Sequence, residues 1–182
     1  MPSYSDNEIL ELFNQPEKRS KAFEMLVNKY QQRVYWIIRR MLLNHEDTND
    51  VMQETFIKIW QNIANFRQQS GLYAWIYRIA INEVYTFFRK KKRLRNLPTT
   101  ELKEEMLQSL QCDPWFDGNQ AQLKLQEAIL ALPKKQQMVF NMRYFEEIPY
   151  AEMSKILDTS KGSLKASYHW AVKKIEENLK DN

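Results

Sequence analysis

Three glycines in 182 residues leave this chain few points at which the backbone can turn sharply. Leu, Ile, Lys, Gln and Glu, all good helix formers, fill much of the remainder, so the expected fold class is all-α. The length suits one medium domain or two small ones. Aromatic residues make up 13% of the chain, enough bulk for packed cores, which argues against general disorder.

The run from Asp47 to Trp60 is the most informative stretch. Met52, Phe56, Ile59 and Ile63 recur at helical spacing and predict a buried stripe. Asp50, Gln53, Glu54 and Ile57 repeat on another face, an acidic-amide patch holding one apolar residue. Such a face is out of keeping with a net charge of +4 and with the basic block Arg89-Lys90-Lys91-Lys92-Arg93-Leu94-Arg95. The contrast suggests two surfaces: an acidic one for a protein partner and a basic one for nucleic acid. Taken alone, the basic block reads equally well as a phosphate-attracting surface or a solvated helix end whose cations favour the C-terminal dipole.

Along the chain, Ser5-Asp6-Asn7-Glu8 forms a capping-box pattern before a short helix. A second helix is expected over 20–43, with Phe23, Leu26, Val27, Tyr30, Val34, Ile37, Ile38 and Met41 inward. Asn44 to Asp47 reads as a turn and N-cap before the third helix, which ends near Asn65. Gln68-Gln69-Ser70-Gly71 is a polar loop. The fourth helix, over 72–92, directs Leu72, Trp75, Ile76, Ile79, Val84 and Phe87 to packing. Arg78, Asn82, Tyr85 and Arg89 lie opposite, offering charge, amide and ring to a single strand, although an ordinary wet face would look similar.

Residues 96–119 contain Pro98, Asp113-Pro114 and Asp117-Gly118 and lack a sustained apolar stripe. They read as a linker with at most a helical turn over 102–110. Trp115 and Phe116 fit either a partner contact or packing against a domain. From Gln120, helix patterns end at Pro133, run over 136–145, and resume after Pro149. The turn Asp158-Thr159-Ser160 then leads into a last helix with Leu164, Tyr168, Ala171, Val172, Ile175 and Leu179 inward. Two short helices, a tight turn and a longer amphipathic helix match a helix-turn-helix, the rival being a plain helical bundle. Lys161, Lys165, Ala166, His169 and Lys173 are outward, and the helix start at Ser160 to Ser163 favours phosphate.

One cysteine, Cys112, excludes an intrachain disulfide framework or a Cys-based zinc site. The start Met1-Pro2-Ser3-Tyr4-Ser5 lacks an apolar signal segment, and the apolar run Val34 to Ile38 is too short to cross a bilayer. A soluble cytoplasmic protein, not itself a membrane protein, is expected. His45 and His169 lie in separate segments without a metal or nucleophile constellation, which argues against an enzyme.

Two motifs, Glu46-Asp47 with Asp50-Val51-Met52-Gln53-Glu54-Thr55-Phe56 and Ala74-Trp75-Ile76-Tyr77-Arg78-Ile79-Ala80 followed by Asn82, precede the helix-turn-helix. In that order the chain resembles bacterial sigma factors of the sigma-70 family, in the compact extracytoplasmic-function (ECF) group. Phe23 to Arg93 looks like region 2, and Leu125 to Leu179 looks like region 4. The resemblance implies a region 2 helical bundle over 1–95, a linker over 96–119 and a region 4 helix-turn-helix over 120–182. Asp47, Asp50, Gln53 and Glu54 would bind the coiled coil of the beta-prime subunit of core RNA polymerase. Gln68, Gln69, Ser70, Gly71, Leu72 and Tyr73 would capture a base flipped from the minus-ten element. Trp75, Arg78, Asn82, Arg89, Lys92 and Arg93 would hold that strand and its adjoining duplex. Ser160, Lys161, Ser163, Lys165, Ala166, His169 and Lys173 would face the minus-thirty-five element of promoter DNA, with region 4 also touching the beta flap.

No cofactor or metal is implied, but an anti-sigma protein, which can be membrane-bound, is. The expected function is promoter-specific transcription initiation. A stand-alone helix-turn-helix repressor or activator is the alternative, and it has no need of the Asp50, Gln53, Glu54 patch. Three positions depart from the family pattern. Ser167 and Trp170 stand where arginine is frequent, and Asp158 where glycine is. Asp tolerates the left-handed turn conformation, and Trp170 fits packing within its domain somewhat better than contact with a thymine methyl group.

Overall fold

In the computed structural model, residues 4–66, 71–95, 99–112 and 120–181 are described. They form helices without strands and divide into two units, Met1–Lys90 and Lys91–Asn182.

In the first unit, the Ser5–Glu8 pattern acts as expected. The Ser5 hydroxyl accepts from the Glu8 N–H at 3.2 Å, while the Glu8 carboxylate accepts from the Ser5 N–H at 2.6 Å. This capping box opens α1 (Asp6–Phe13), satisfying donors that the helix start cannot pair itself. A 3-10 turn at Pro16–Lys18 leads into the long α2 (Arg19–Leu42), whose Ala22, Leu26, Tyr30, Val34 and Ile38 are buried. Leu43 ends α2 at φ 56°, a conformation usually left to glycine, and its side chain is only 3% exposed. Burying that leucine offsets the unfavourable backbone.

Asn44 caps α3 (His45–Asn62), its side-chain oxygen accepting from the Asp47 N–H at 2.8 Å. The buried stripe of α3 is Thr48, Val51, Thr55 and Ile59, continuing to Ile63. Met52 and Phe56, expected in that stripe, are half-buried. Two threonines take the innermost places because their hydroxyls are already satisfied: Thr48 donates to the Asn44 carbonyl, and Thr55 donates to that of Val51 at 2.7 Å. A polar residue satisfied within its own helix can be buried at little cost.

α4 (Leu72–Arg95) buries Leu72, Ala74, Ile76, Tyr77, Ala80, Ile81 and Val84. Trp75, Ile79 and Phe87 are half-buried.

In the second unit, α5 (Thr99–Gln111) is a 13-residue helix where the sequence suggested a turn at most. Met106 and Leu110, one turn apart, are 5% and 6% exposed, and the helix packs on α6 (Gln120–Ala131). Leu102, Met106, Leu107 and Leu110 recur at helical spacing, but the stripe is short, and it is the neighbouring helix that gives it a surface to pack on. α7 (Lys134–Tyr144), α8 (Tyr150–Leu157) and α9 (Lys161–Asp181) complete the unit. Ala128, Ile129, Leu132, Phe140, Ala171 and Ile175 form its core, with Leu125, Phe145, Tyr168 and Val172 packed against it. Leu179, expected inward, is 41% exposed, because α9 runs on past its last buried residue, Ile175.

Candidate functional site

Between α8 and α9, Asp158 adopts φ 47° and ψ 48°, supplying the left-handed bend of the turn. Ser160 then caps α9, its hydroxyl accepting from the Ser163 N–H at 3.2 Å. The expected outward residues Ser160, Lys161, Ser163, Lys165, Ala166, His169 and Lys173 are all exposed. Lys173 also lies 4.0 Å from Glu177, an exposed pair of small energetic weight. Trp170 corrects the sequence reading: it is 50% exposed rather than packed into its domain. Tyr168 and Ala171, on either side of it in sequence, already occupy the inward positions.

In the first unit, Asp50, Gln53, Glu54 and Ile57 are exposed together on α3, and Asp47 is half-buried at its first turn. Beside them is a feature the sequence reading missed. Phe23 and Val27 of α2 face Met52, Phe56, Ile57 and Trp60 of α3 across an open apolar groove of about 590 Å³, with Ser20 and Gln53 at its edge. Phe23 meets Trp60 and Phe56 edge-on at 5.1 and 6.4 Å between centroids, and the Arg19 guanidinium lies 5.7 Å from the Trp60 ring. The groove is the consequence of the threonine stripe, which leaves Met52 and Phe56 outside the core.

α4 carries Arg78, Asn82 and Arg89 exposed on one side, with Tyr85 half-buried among them. Thr86, which the sequence reading passed over, links two of them: its hydroxyl donates to the Asn82 carbonyl at 2.9 Å and accepts from Arg89 at 3.0 Å. Lys92 and Arg93 are exposed beyond, whereas Lys91 pairs with Glu105 at 3.2 Å. Burial raises the Tyr85 phenol above its ordinary value and the Tyr77 phenol well above it, so both rings are neutral near neutral pH.

At the start of α4, the Gly71 carbonyl accepts from the Trp75 N–H at 3.2 Å, and Gly71 is exposed. Leu72 is 2% exposed, so it is a core residue and cannot contact nucleic acid from this position. Tyr73 is half-buried and stacks on Tyr30 at 6.0 Å, with the Arg33 guanidinium 5.0 Å from its ring. Trp75 lies against Phe66 at 5.4 Å. Gln68, Gln69 and Ser70, and likewise Trp115 and Phe116, fall outside the described residues.

Among the described residues, no group of His, Cys, Asp and Glu could hold a metal ion, and no helix is long and apolar enough to cross a membrane.

A basic helix face in one unit and a helix-turn-helix in the other define a helical DNA-binding protein. Residues 26–94 match the family model of Sigma-70 region 2, and residues 122–175 match that of Sigma-70, region 4. The chain belongs to the sigma-70 family of sigma factors, in the extracytoplasmic-function group. It is 26% identical to the RNA polymerase sigma-H factor of Pseudomonas aeruginosa over 96% of this chain and 93% of that one. The ECF RNA polymerase sigma-E factor of Haemophilus influenzae is 28% identical, over 96% and 95%. The ECF RNA polymerase sigma factor SigW of Bacillus subtilis is 29% identical, over 88% and 90%. The fold is similar to that of the sigma factor RpoE of Bartonella quintana, solved with the anti-sigma factor NepR (TM-score 0.67, 20% identity, 88% of this chain and 98% of that one). It is likewise similar to CnrH, solved with the cytosolic domain of CnrY (TM-score 0.69, 18% identity, 96% of each chain).

Proposed function

We propose that this protein is an exchangeable subunit of RNA polymerase that recognises and melts promoter DNA, and is not itself a catalyst. The observation that carries this reading is the pairing of surfaces within the first unit. α3 exposes acids and an amide, while α4 exposes Arg78, Asn82 and Arg89. A stand-alone repressor or activator requires the second kind of surface and has no use for the first. Sigma-70 family membership favours the initiation factor for the same reason.

Asp47, Asp50, Gln53 and Glu54 then serve the beta-prime coiled coil, within a region 2 domain over 1–95. Gly71, Tyr73, Trp75, Arg78, Asn82, Arg89, Lys92 and Arg93, with Gln68 to Ser70, serve the minus-ten strand. Tyr73 belongs to that set as a half-buried ring held against Tyr30 and Arg33. Extruding a base costs a few kcal/mol of unstacking, which stacking and backbone contacts must offset. After a connecting segment over 96–119, a region 4 domain over 120–182 presents Ser160, Lys161, Ser163, Lys165, Ala166, His169 and Lys173 to the minus-thirty-five element, and meets the beta flap. An anti-sigma protein is the expected inhibitor, in keeping with the partners of the two structural relatives, and the cytoplasm is the expected location.

In vitro transcription on genomic fragments, with core polymerase alone and with this protein added, tests the proposal. Discrete new start sites are expected. No new transcripts, together with a tight complex on duplex DNA without polymerase, would overturn it in favour of a repressor or activator.

A further inference from the structure

We propose that Trp170 is a base-reading residue of α9, contacting the methyl group of a thymine in the minus-thirty-five element. The proposal rests on the function just given, under which α9 enters the major groove. Its own basis is the placement of the indole. Leu164, Ala171 and Ile175 are buried and mark the inward side of α9. Trp170 lies in the opposite sector, between Ala166 and Lys173 at helical spacing, and is 50% exposed.

Gly162, Ala166 and Trp170 follow at intervals of four, so they stack along one line of the helix. The first two have little or no side chain, and a methyl group added at Gly162 would meet open space. Helical side chains lean toward the N-terminus, which carries the indole over the turn of Ala166. The N-terminal part of a recognition helix is the part that approaches base edges. Gly162 and Ala166 therefore let the groove floor come close, and the indole fills the space they leave.

The surroundings of the ring suit DNA. The Lys173 ammonium lies 5.4 Å from the indole centroid, and the His169 ring meets it edge-on at 5.7 Å. The cation–π contact holds an ammonium beside an apolar plate, so a phosphate and a methyl group can be met by adjacent atoms. In the major groove the thymine C5-methyl is the apolar feature, and it distinguishes T·A from the other pairs. An arginine at this position would favour guanine or phosphate, so the tryptophan changes what the helix reads.

The test uses holoenzyme assembled from core polymerase and the full chain, on promoter fragments randomised across the minus-thirty-five element. The wild-type protein is expected to enrich thymine at one position. Trp170→Ala should lose that preference while keeping those at other positions and in the minus-ten element. Deoxyuridine at that position should weaken the wild-type complex about fourfold, the worth of one buried methyl group, and leave the Trp170→Ala complex unchanged. Trp170→Phe, which keeps an apolar ring, should retain the thymine preference and guards against a folding defect in the alanine variant. Enrichment identical in wild type and Trp170→Ala, or indifference of the wild-type complex to deoxyuridine, overturns the proposal but leaves the initiation function standing. Reduced core binding with unchanged base preference would assign Trp170 to a protein contact instead. Failure of the wild-type holoenzyme to select any promoter would remove both readings.

Discussion

The Lys58 ammonium of α3 donates to the Glu83 carboxylate of α4 at 2.7 Å, tying the helix of the acidic face to the helix that carries Asn82. The Glu83 side chain is 10% exposed and that of Lys58 is 44% exposed. Removing the cation therefore leaves a nearly buried carboxylate uncompensated, whereas removing the acid leaves an ammonium that can reach water. Lys58→Met is expected to cost about 1–3 kcal/mol, between the values for surface and buried pairs, and more than Glu83→Gln. Urea denaturation of both variants checks the order; a smaller loss for Lys58→Met would show that the pair is merely a surface contact.

Asp50 and Glu54 are exposed on one face of α3. Replacing both by alanine should therefore leave stability within about 0.5 kcal/mol of the wild type. Loss of two charge-assisted contacts should weaken binding to core polymerase by roughly ten- to a hundredfold. Affinity measured by fluorescence titration, beside a thermal melt, separates the two effects. Unchanged affinity would remove the polymerase role from this face.

Asn82 is exposed on α4, and its backbone carbonyl accepts from the Thr86 hydroxyl. Asn82→Ala keeps that bond and deletes only the amide. The expected result is defective promoter opening, seen as reduced permanganate reactivity of minus-ten thymines, with core binding retained. An equal loss of core binding would contradict the assignment of Asn82 to the DNA strand.

The Glu8 carboxyl is held below its ordinary value of 4.5, first by the Ser5 backbone N–H and then by the Ser5 hydroxyl. A carboxyl with a lowered folded pKa stabilises the fold fully above its unfolded value, and loses that contribution as the pH falls through the folded value. Glu8→Ala should thus lower the melting temperature at pH 7, and the gap from wild type should narrow as the pH falls below about 4. A gap that stays constant from pH 7 to pH 3 would mean that the charge of Glu8 contributes nothing to the cap.

Local chemistry was legible where one side chain acts on its own helix. Ser5 and Glu8 build their capping box, Asn44 and Ser160 cap α3 and α9, and Asp158 bends the turn before α9. The outward faces could also be read, since charged and amide residues repeating at helical spacing have no low-cost place in a core. In the buried stripe of α3, Ile59 and Ile63 were read correctly, whereas Met52 and Phe56 were each read one residue late. Val51 and Thr55 take their places, and Thr48 and Thr55 can be buried because their hydroxyls pair within the helix. Periodicity directed Leu72 to packing and the family resemblance placed it in the base-capturing set; it is the first core residue of α4, as the periodicity required.

Helix formation, the capping residues, the acidic and basic faces and the helix-turn-helix pattern are determined by the sequence itself, because each depends on contacts within a few residues. Tertiary structure decided which apolar residues the packing covers. α6 gives Met106 and Leu110 something to bury against, so α5 forms a full helix. Among the described residues, no such layer covers Leu179, Trp170 or the Phe23–Trp60 groove. Periodicity sets the spacing of a stripe, but the hydrophobic gain appears only where a neighbouring surface excludes water, and distant parts of the chain supply that neighbour.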